Sequence, residues 1–301
     1  MDFVIIALIA LIIILLILEI IRENMIFRII NYQIRSPKLS GIKGELKIVF
    51  LSDLHNKKYG KENEKLIQAI RDEKPDLILV GGDMVVAKFK TGYAHGLAVL
   101  KVLPQICPTY LINGNHEQRL KTYPEKYAPY EPFAKEVMQA GVHILENDNE
   151  LIYTHGKSIR ISGLELPYTY YKENRKQPLS RKVLRSYIGQ ADGRNFQILL
   201  AHNPVHFPVY KAWGADLVLS GHLHGGIVRI PGWRGVISPR GQLFPKYSGE
   251  LTIEGKSAIV VSRGLGTHTI PIRLCNQGEI VTLTLSASAK TKDSLIKVIK
   301  E

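Results

Sequence analysis

Leu46-Lys-Ile-Val-Phe-Leu51 runs directly into Ser52-Asp53-Leu54-His55, an apolar strand that ends in two polar donors. The same design recurs along the chain. Asp76-Leu-Ile-Leu-Val80 ends in Gly81-Gly82-Asp83, and Thr109-Tyr-Leu-Ile112 ends in Asn113-Gly114-Asn115-His116-Glu117. Phe196-Gln-Ile-Leu-Leu200 gives way to Ala201-His202-Asn203-Pro204, and Asp216-Leu-Val-Leu219 to Ser220-Gly221-His222-Leu223-His224-Gly225-Gly226. The spacing of apolar residues predicts helices over 61–74, 93–103 and 131–140, with Leu66, Ile67 and Ile70 on one face of the first. Further strands are expected at 142–145, 158–163, 226–230, 257–262 and 279–285. Such alternation predicts a layered α/β core with helices packed on sheets. Ligand sites in α/β sheets gather outside the carboxyl ends of strands. Five polar strand endings, spread over about 170 residues, can therefore converge on one place.

In an extended strand, residues i and i+2 point to the same side. If that conformation continues, Asp53-x-His55 and His222-x-His224 each offer two donors to a shared volume. The endings together hold two Asp (53 and 83), Asn115 and four His (55, 202, 222 and 224), before His116 is counted. Mixed oxygen and nitrogen donors without thiolate suit Mn, Fe or Zn rather than Ca or a structural zinc finger. Seven donors are too many for one tetrahedral ion and fit two ions sharing a carboxylate. A dinuclear centre clamps a phosphoryl group during in-line displacement and lowers the pKa of bound water. No Ser or Cys nucleophile is evident. Burying seven such side chains without ions would cost several kcal/mol of unmet desolvation.

Asp53-x-His55, Gly82-Asp83, Gly114-Asn115-His116-Glu117, His202 and Gly221-His222-x-His224 together resemble the motif set of the calcineurin-like metallophosphoesterases. The resemblance covers roughly residues 45–285, in the same order, with 30 residues from Asp53 to Asp83 and 32 from Asp83 to Asn115. A lone Asp-x-His carries little information, whereas five ordered motifs are specific. Phe244-Pro-Lys-Tyr247 and Ser262-Arg-Gly-Leu-Gly266 are similar to the membrane-anchored bacterial YkuE-like branch, to which the UDP-2,3-diacylglucosamine hydrolases are related. The resemblance implies a four-layer α/β/β/α sandwich preceded by an N-terminal transmembrane helix. It also implies two divalent cations, with Asp53, His55 and His224 at the first, Asn115, His202 and His222 at the second, and Asp83 between them. His116 would then stand beside the phosphate, stabilising charge or protonating the leaving oxygen.

Outside the motifs the chain is bland or basic. Arg263 can touch a substrate phosphate or form a surface salt bridge, and Tyr168–Arg175 reads as a substrate-facing loop or an exposed linker. His95, His143, His155, His206 and His268 match no motif and read as ordinary core or surface residues. The two cysteines, Cys107 and Cys275, form no disulfide framework and read as small buried hydrophobes. A net charge of +13, with eight Lys or Arg against two Glu in 157–185, suits a polyanionic substrate or an anionic membrane surface. No dense basic block with interleaved aromatics marks a nucleic-acid groove, so a nucleic-acid partner is not expected.

Phe3–Leu18 is sixteen consecutive apolar residues, and after Glu19 the run resumes with Ile20 and Ile21. Nineteen helical positions span ~28 Å, close to the hydrocarbon thickness of a bilayer. The run lacks the charged start and the small-x-small cleavage pattern of a signal peptide. Residues 1–22 are thus expected to be a single-pass anchor in the cell membrane, and 45–286 the catalytic domain. Residues 23–44 form a linker or interfacial segment that can also lead into a first strand, and 287–301 a basic tail or frayed helix. Arg22, Arg28, Arg35 and Lys38 follow the span whereas only Asp2 precedes it, which places the domain in the cytoplasm.

These features predict a hydrolase of phosphoric esters or pyrophosphates on an amphiphilic substrate at the bilayer. The competing readings are a phosphodiesterase or phosphatase of soluble nucleotides and a non-catalytic, protein-binding scaffold on the same fold. A scaffold would be expected to have lost ligands, and here every position is filled. A membrane-impermeant thiol reagent applied to intact cells is expected to leave a cysteine in the 45–286 domain unlabelled; labelling from outside would overturn the cytoplasmic placement.

Overall fold

The strand Leu46–Leu51 is buried on both faces, as its apolar run requires. Two separate cores claim its alternate residues: Leu46, Ile48 and Phe50 enter one, and Val49 and Leu51 the other. That division organises the whole molecule. The computed structural model describes residues 2–171, 178–230, 234–238, 241–267, 271–288 and 297–300.

Helix α1 (Asp2–Met25) leads into β1 (Phe27–Ser36) and β2 (Leu46–Leu51). There follow α2 (Glu64–Asp72), β3 (Leu77–Val80), α3 (Ala94–Val102), β4 (Thr109–Leu111), α4 (Asn115–Thr122), α5 (Tyr130–Gln139) and β5 (Val142–Ile144). The second half begins with β6 (Asp148–Thr154), β7 (Lys157–Leu164), α6 (Arg181–Ile188), β8 (Phe196–Ala201), α7 (Phe207–Trp213) and β9 (Leu217–Ser220). It continues through the short β10 (Val228–Arg229) and β11 (Gly235–Ile237) to β12 (Glu250–Glu254), β13 (Ser257–Val261), β14 (Gly278–Ala287) and β15 (Lys297–Lys300).

One large sheet has the order β15-β1-β14-β2-β3-β4-β5, the other large sheet β12-β13-β9-β8-β7-β6, and β10 pairs with β11 in a small third one. Ile48 and Phe50 of the first sheet meet Ile198, Leu200 and Leu219 of the second in the central core. The outer face of the first sheet packs on Leu66 and Ile70 of α2, Leu100 of α3 and Phe133 of α5. The outer face of the second packs on Leu184 of α6 and Phe207, Tyr210 and Trp213 of α7. These are the four layers α/β/β/α that the motif resemblance implied. Strands β2, β3 and β4 run parallel, as do β7, β8 and β9, so their carboxyl ends lie on common edges.

Several local expectations are corrected. The segment assigned to 23–44 contains β1, which pairs parallel with β14, so the folded domain starts at Phe27 rather than 45. Its period-two burial at Ile30, Tyr32 and Ile34 is the strand signature that the neighbouring charges obscured. Lys297–Lys300, expected in a tail or frayed helix, is a strand antiparallel to β1. Cys275 is exposed rather than buried. His268 and the second half of the Tyr168–Arg175 stretch, 172–175, fall outside the described residues.

Helix α1 has a 23-residue stretch, Phe3–Met25, long and apolar enough to cross a membrane, with none of its apolar window covered by the protein. Phe50 lies fully buried between the sheets. Phe50→Ala is expected to destabilise the detergent-solubilised chain by about 3–5 kcal/mol, read as a lower denaturation midpoint.

Candidate metal centre

The polar residues that end β2, β3 and β9 do not continue as strands. Asp53 and His55 have φ of 53° and 50°, Asp83 53°, and His222 and His224 71° and 51°. The donors therefore converge through left-handed turns, not through the i, i+2 alternation of extended chain. Asp, Asn and His tolerate that region better than bulky residues, at a cost of order 1–2 kcal/mol each. The turns are held against one another: Asp53 N donates to Gly82 O at 2.9 Å, His55 N to Asp83 O at 3.0 Å, and Gly221 N to His202 O at 3.1 Å.

Two groups of donors result. Ligand atoms of Asp53, His55 and His224 lie within 4.8 Å of one another, and so do those of Asp83, His202 and His222. His55 Nε2 and His224 Nε2 are 3.1 Å apart, near the ~3 Å separation of two donors sharing one cation with ~2.1 Å bonds. Asp83 Oδ2 stands between the groups, 3.8 Å from His55 Nε2 and 3.2 Å from His202 Nε2. His202 Nδ1 bonds Gly81 O at 2.7 Å, which places the proton there and aims the Nε2 lone pair inward. His202 Nε2 and Asn115 Oδ1 are both buried without a hydrogen-bond partner. Six of the seven residues expected as ligands, Asp53, His55, Asp83, His202, His222 and His224, fall in these groups, and Asn115 stands at the start of α4 with a buried Oδ1; oxygen and nitrogen donors of this kind suit divalent cations.

The 46–226 stretch matches the family model described as calcineurin-like phosphoesterase. The chain belongs to the calcineurin-like phosphoesterase family. It is accordingly a metal-dependent hydrolase, of a family that uses a dinuclear metal centre. It is 27% identical over 242 residues to the phosphodiesterase YaeI of Escherichia coli, covering 79% of this chain and 82% of that protein. It is 28% identical over 250 residues to the uncharacterized metallophosphoesterase YkuE of Bacillus subtilis, covering 80% and 79%. Among solved structures, a 5′-nucleotidase precursor of Thermus thermophilus superposes with a TM-score of 0.51 at 16% identity, over 85% of this chain and 54% of that one. The likeness to that nucleotidase is one of fold, and this chain spans about half its length.

Several residues of this phosphoesterase site carried no assigned role in the sequence reading. Glu117, fully buried, receives backbone N–H groups from Asp83 at 2.8 Å, Met84 at 2.9 Å, Val85 at 3.3 Å and Gly114 at 2.9 Å. It ties the Asp83 turn to the start of α4; the motif contained it, but only the fold shows what it holds. Ser52 Oγ donates to Asp53 Oδ2 at 2.6 Å, and His222 N to both Asp53 oxygens at 3.1 Å. The ring of buried Tyr171 stands 5.2 Å from that of His222, so the described start of the 168–175 stretch does line the site. A Cβ on Gly114 would lie 2.2 Å from Asp83 Oδ1, which is why only glycine fits there.

Arg263 is corrected. It is buried, with Nη2 2.6 Å from Glu250 Oε1 and Nε 3.5 Å from Glu279 Oε2, in an internal ion-pair cluster and not as a phosphate contact. A guanidinium taken out of water needs such carboxylate partners. His116 N donates to Asp83 Oδ1 at 2.7 Å, and its Nδ1 accepts the Ala87 N–H at 2.8 Å. One of its ring nitrogens lies within 4.8 Å of donor atoms of His55 and Asp83. His143 and His155 pair with Glu150 and Asp76, and His206 packs on Tyr170 and Tyr210, all outside the donor groups.

Burial alone would raise the Asp53 carboxyl; the His224 and His202 imidazoles outweigh it and hold it below the usual carboxylate range. Asp83 is likewise lowered, burial being overcome by His202 and His116. Burial opposes the His202 imidazolium, but Asp83 and Asp53 push its pKa up to about 9. Burial and the Asp83 charge push Glu117 up to about 7, against the N–H donors that favour its ionised form.

Without a cation, His202 therefore carries at neutral pH a second proton, on the Nε2 that faces Asp83, and a cation must displace it to use that nitrogen. Calorimetry of Mn²⁺ binding in buffers of different ionisation enthalpy is expected to show release of about one proton per chain at pH 7. Affinity is expected to rise with pH and to level off above about 9, where His202 is already neutral.

Proposed function

We propose that this phosphoesterase cleaves a phosphoric ester or pyrophosphate bond in an amphiphilic substrate held at the membrane surface, a UDP-2,3-diacylglucosamine-like compound or a phospholipid. The observation that carries this reading is the adjacency of the donor groups to the apolar helix. Asn276, whose N–H is bonded to Glu23 in the last turn of α1, also donates its side chain to the carbonyl of His224. A substrate reaching the site is therefore met close to where the anchor leaves the bilayer. The basic residues after the span support a domain on the cytoplasmic side.

Asp53, His55 and His224 would hold one cation, Asn115, His202 and His222 the other, with Asp83 shared; Mn, Fe or Zn suits these donors. Bound there, two such ions supply a water of lowered pKa and neutralise the phosphoryl oxygens. The remaining chemistry belongs to His116. Because its Nδ1 lone pair accepts the Ala87 N–H, a neutral ring carries its proton on Nε2. That tautomer is a donor rather than a ligand, suited to protonating the leaving oxygen. Glu117 and Gly114 keep the Asp83 turn and the α4 start at fixed spacing, so His116 and the donors stay in register.

Chelation is expected to abolish phosphodiester hydrolysis and Mn²⁺ to restore it. His116→Ala is expected to keep its metal while losing about 10²–10⁴ in turnover; full turnover would remove the role given to His116. Hydrolysis of micellar phospholipid and nucleotide-sugar lipids is expected to exceed that of soluble nucleotides, and the opposite order would favour the soluble-nucleotide reading. Stoichiometric metal with no hydrolysis across a broad ester panel would instead favour a scaffold.

A further inference from the structure

Two buried side chains outside the donor set, Asn276 and Arg273, grip the main chain of the His224 loop and of the 263–266 loop beside Asp53. Asn276, fully buried, donates from Nδ2 to His224 O at 2.7 Å and to Gly226 O at 2.5 Å, closing the turn that presents His224. Arg273, 2% exposed, donates from Nη2 to Arg263 O at 2.8 Å, to Gly264 O at 3.2 Å and to Gly266 O. That 264–266 loop lies along the other donor turn: Leu265 N donates to Ser52 O at 3.1 Å and Gly266 N to Asp53 O at 2.6 Å. Arg273 Nη1 also donates to Asn276 O at 2.9 Å, so the two grips are one unit.

The same 271–276 segment is held by α1. Glu23 Oε2, on a side chain 3% exposed, accepts the Asn276 N–H at 2.7 Å, and Asn24 Nδ2 donates to Pro271 O at 3.0 Å. An apolar helix needs no such bonds merely to tether a domain; of the polar residues in its last turn, Glu23 and Asn24 engage this segment, whereas Arg22 is exposed and pairs with Glu19. The other donor group is joined to this one through His222 N on Asp53, and it has further supports of its own, Gly81 O behind His202 and Glu117 behind the Asp83 turn.

We propose that the last turn of the anchor helix is a positioning element of the metal centre. Glu23 and Asn24, acting through Asn276 and Arg273, set the placement of Asp53 and His224 at one cation position and bear less on the Asp83–His202–His222 position, which Gly81 and Glu117 also hold. The inference rests on the dinuclear reading above and adds that its two positions respond differently to the anchor. Groups that orient ligands without touching the metal are worth about 10–100-fold in metal affinity.

The test uses the full chain in nanodiscs, with Mn²⁺ binding followed by calorimetry and by electron paramagnetic resonance. The wild-type protein is expected to bind two Mn²⁺ and show an exchange-coupled signal. The Glu23→Ala, Asn24→Ala double variant is expected to lose about 10–100-fold at one position, to keep the other within about twofold, and to show isolated Mn²⁺. Glu23→Gln, which retains an oxygen acceptor for Asn276 N–H, is expected to restore most of the loss. Should the double variant fail to fold, Asn24→Ala alone is expected to give the same one-sided loss at about two- to fivefold. Equal losses at both positions, or no loss at either, would overturn the proposal. A wild-type chain that binds fewer than two Mn²⁺ would overturn the dinuclear reading, and this proposal with it.

Discussion

Two carboxylates, Asp53 and Asp83, sit buried at the ends of neighbouring strands among imidazoles. Burying a charge costs several kcal/mol unless opposite charge and hydrogen bonds meet it. The rest of the site is organised around that constraint. Ser52 and the His222 amide satisfy Asp53, and the His116 amide satisfies Asp83. The protonated His202 supplies positive charge in the metal-free state, a place that a divalent cation takes with more charge and firmer geometry.

The two-sheet architecture makes this arrangement affordable in conformational terms. Each donor turn hangs from the end of a strand buried on both faces, so strain in the turn is resisted by sheet packing on either side. The turns also brace one another, with the Asp53 and His55 amides bonded to carbonyls of the Gly82–Asp83 turn. Glu117 then fixes that second turn to α4, so a helix from one layer and two strand ends share a single hydrogen-bonded frame.

Much of this was legible before any coordinates. The apolar runs at 46–51, 196–200 and 216–219 are strands because no helical period fits them, and their polar ends hold five of the expected donors, Asp53, His55, His202, His222 and His224. What pattern reading missed has physical causes. Left-handed φ at Asp53, His55, His222 and His224 leaves no trace in side-chain alternation, so the right donors were reached through the wrong local geometry. Strand β1 was ambiguous because Arg28 and Arg35 interrupt an apolar run, and only pairing with β14 shows that Ile30, Tyr32 and Ile34 point inward. Arg263 looked available to substrate because its partners Glu250 and Glu279 are distant neighbours that no local motif announces. The hold of Arg273 and Asn276 on donor loops was invisible for the same reason, since hydrogen bonds to backbone carbonyls place no demand on the partner's residue type.

The placement of β1 bears on how the chain reaches this state. Its neighbours in the sheet are β14 and β15, the last two strands among the described residues. During synthesis, β1 emerges directly behind the apolar helix and must wait, both edges unpaired, until some 250 further residues have left the ribosome. Pairings of such sequence separation close slowly. The nascent protein thus carries an open, sticky ribbon behind the apolar helix while the residues between β1 and β14 are made, and stalling or truncation before β14 would leave that ribbon uncovered.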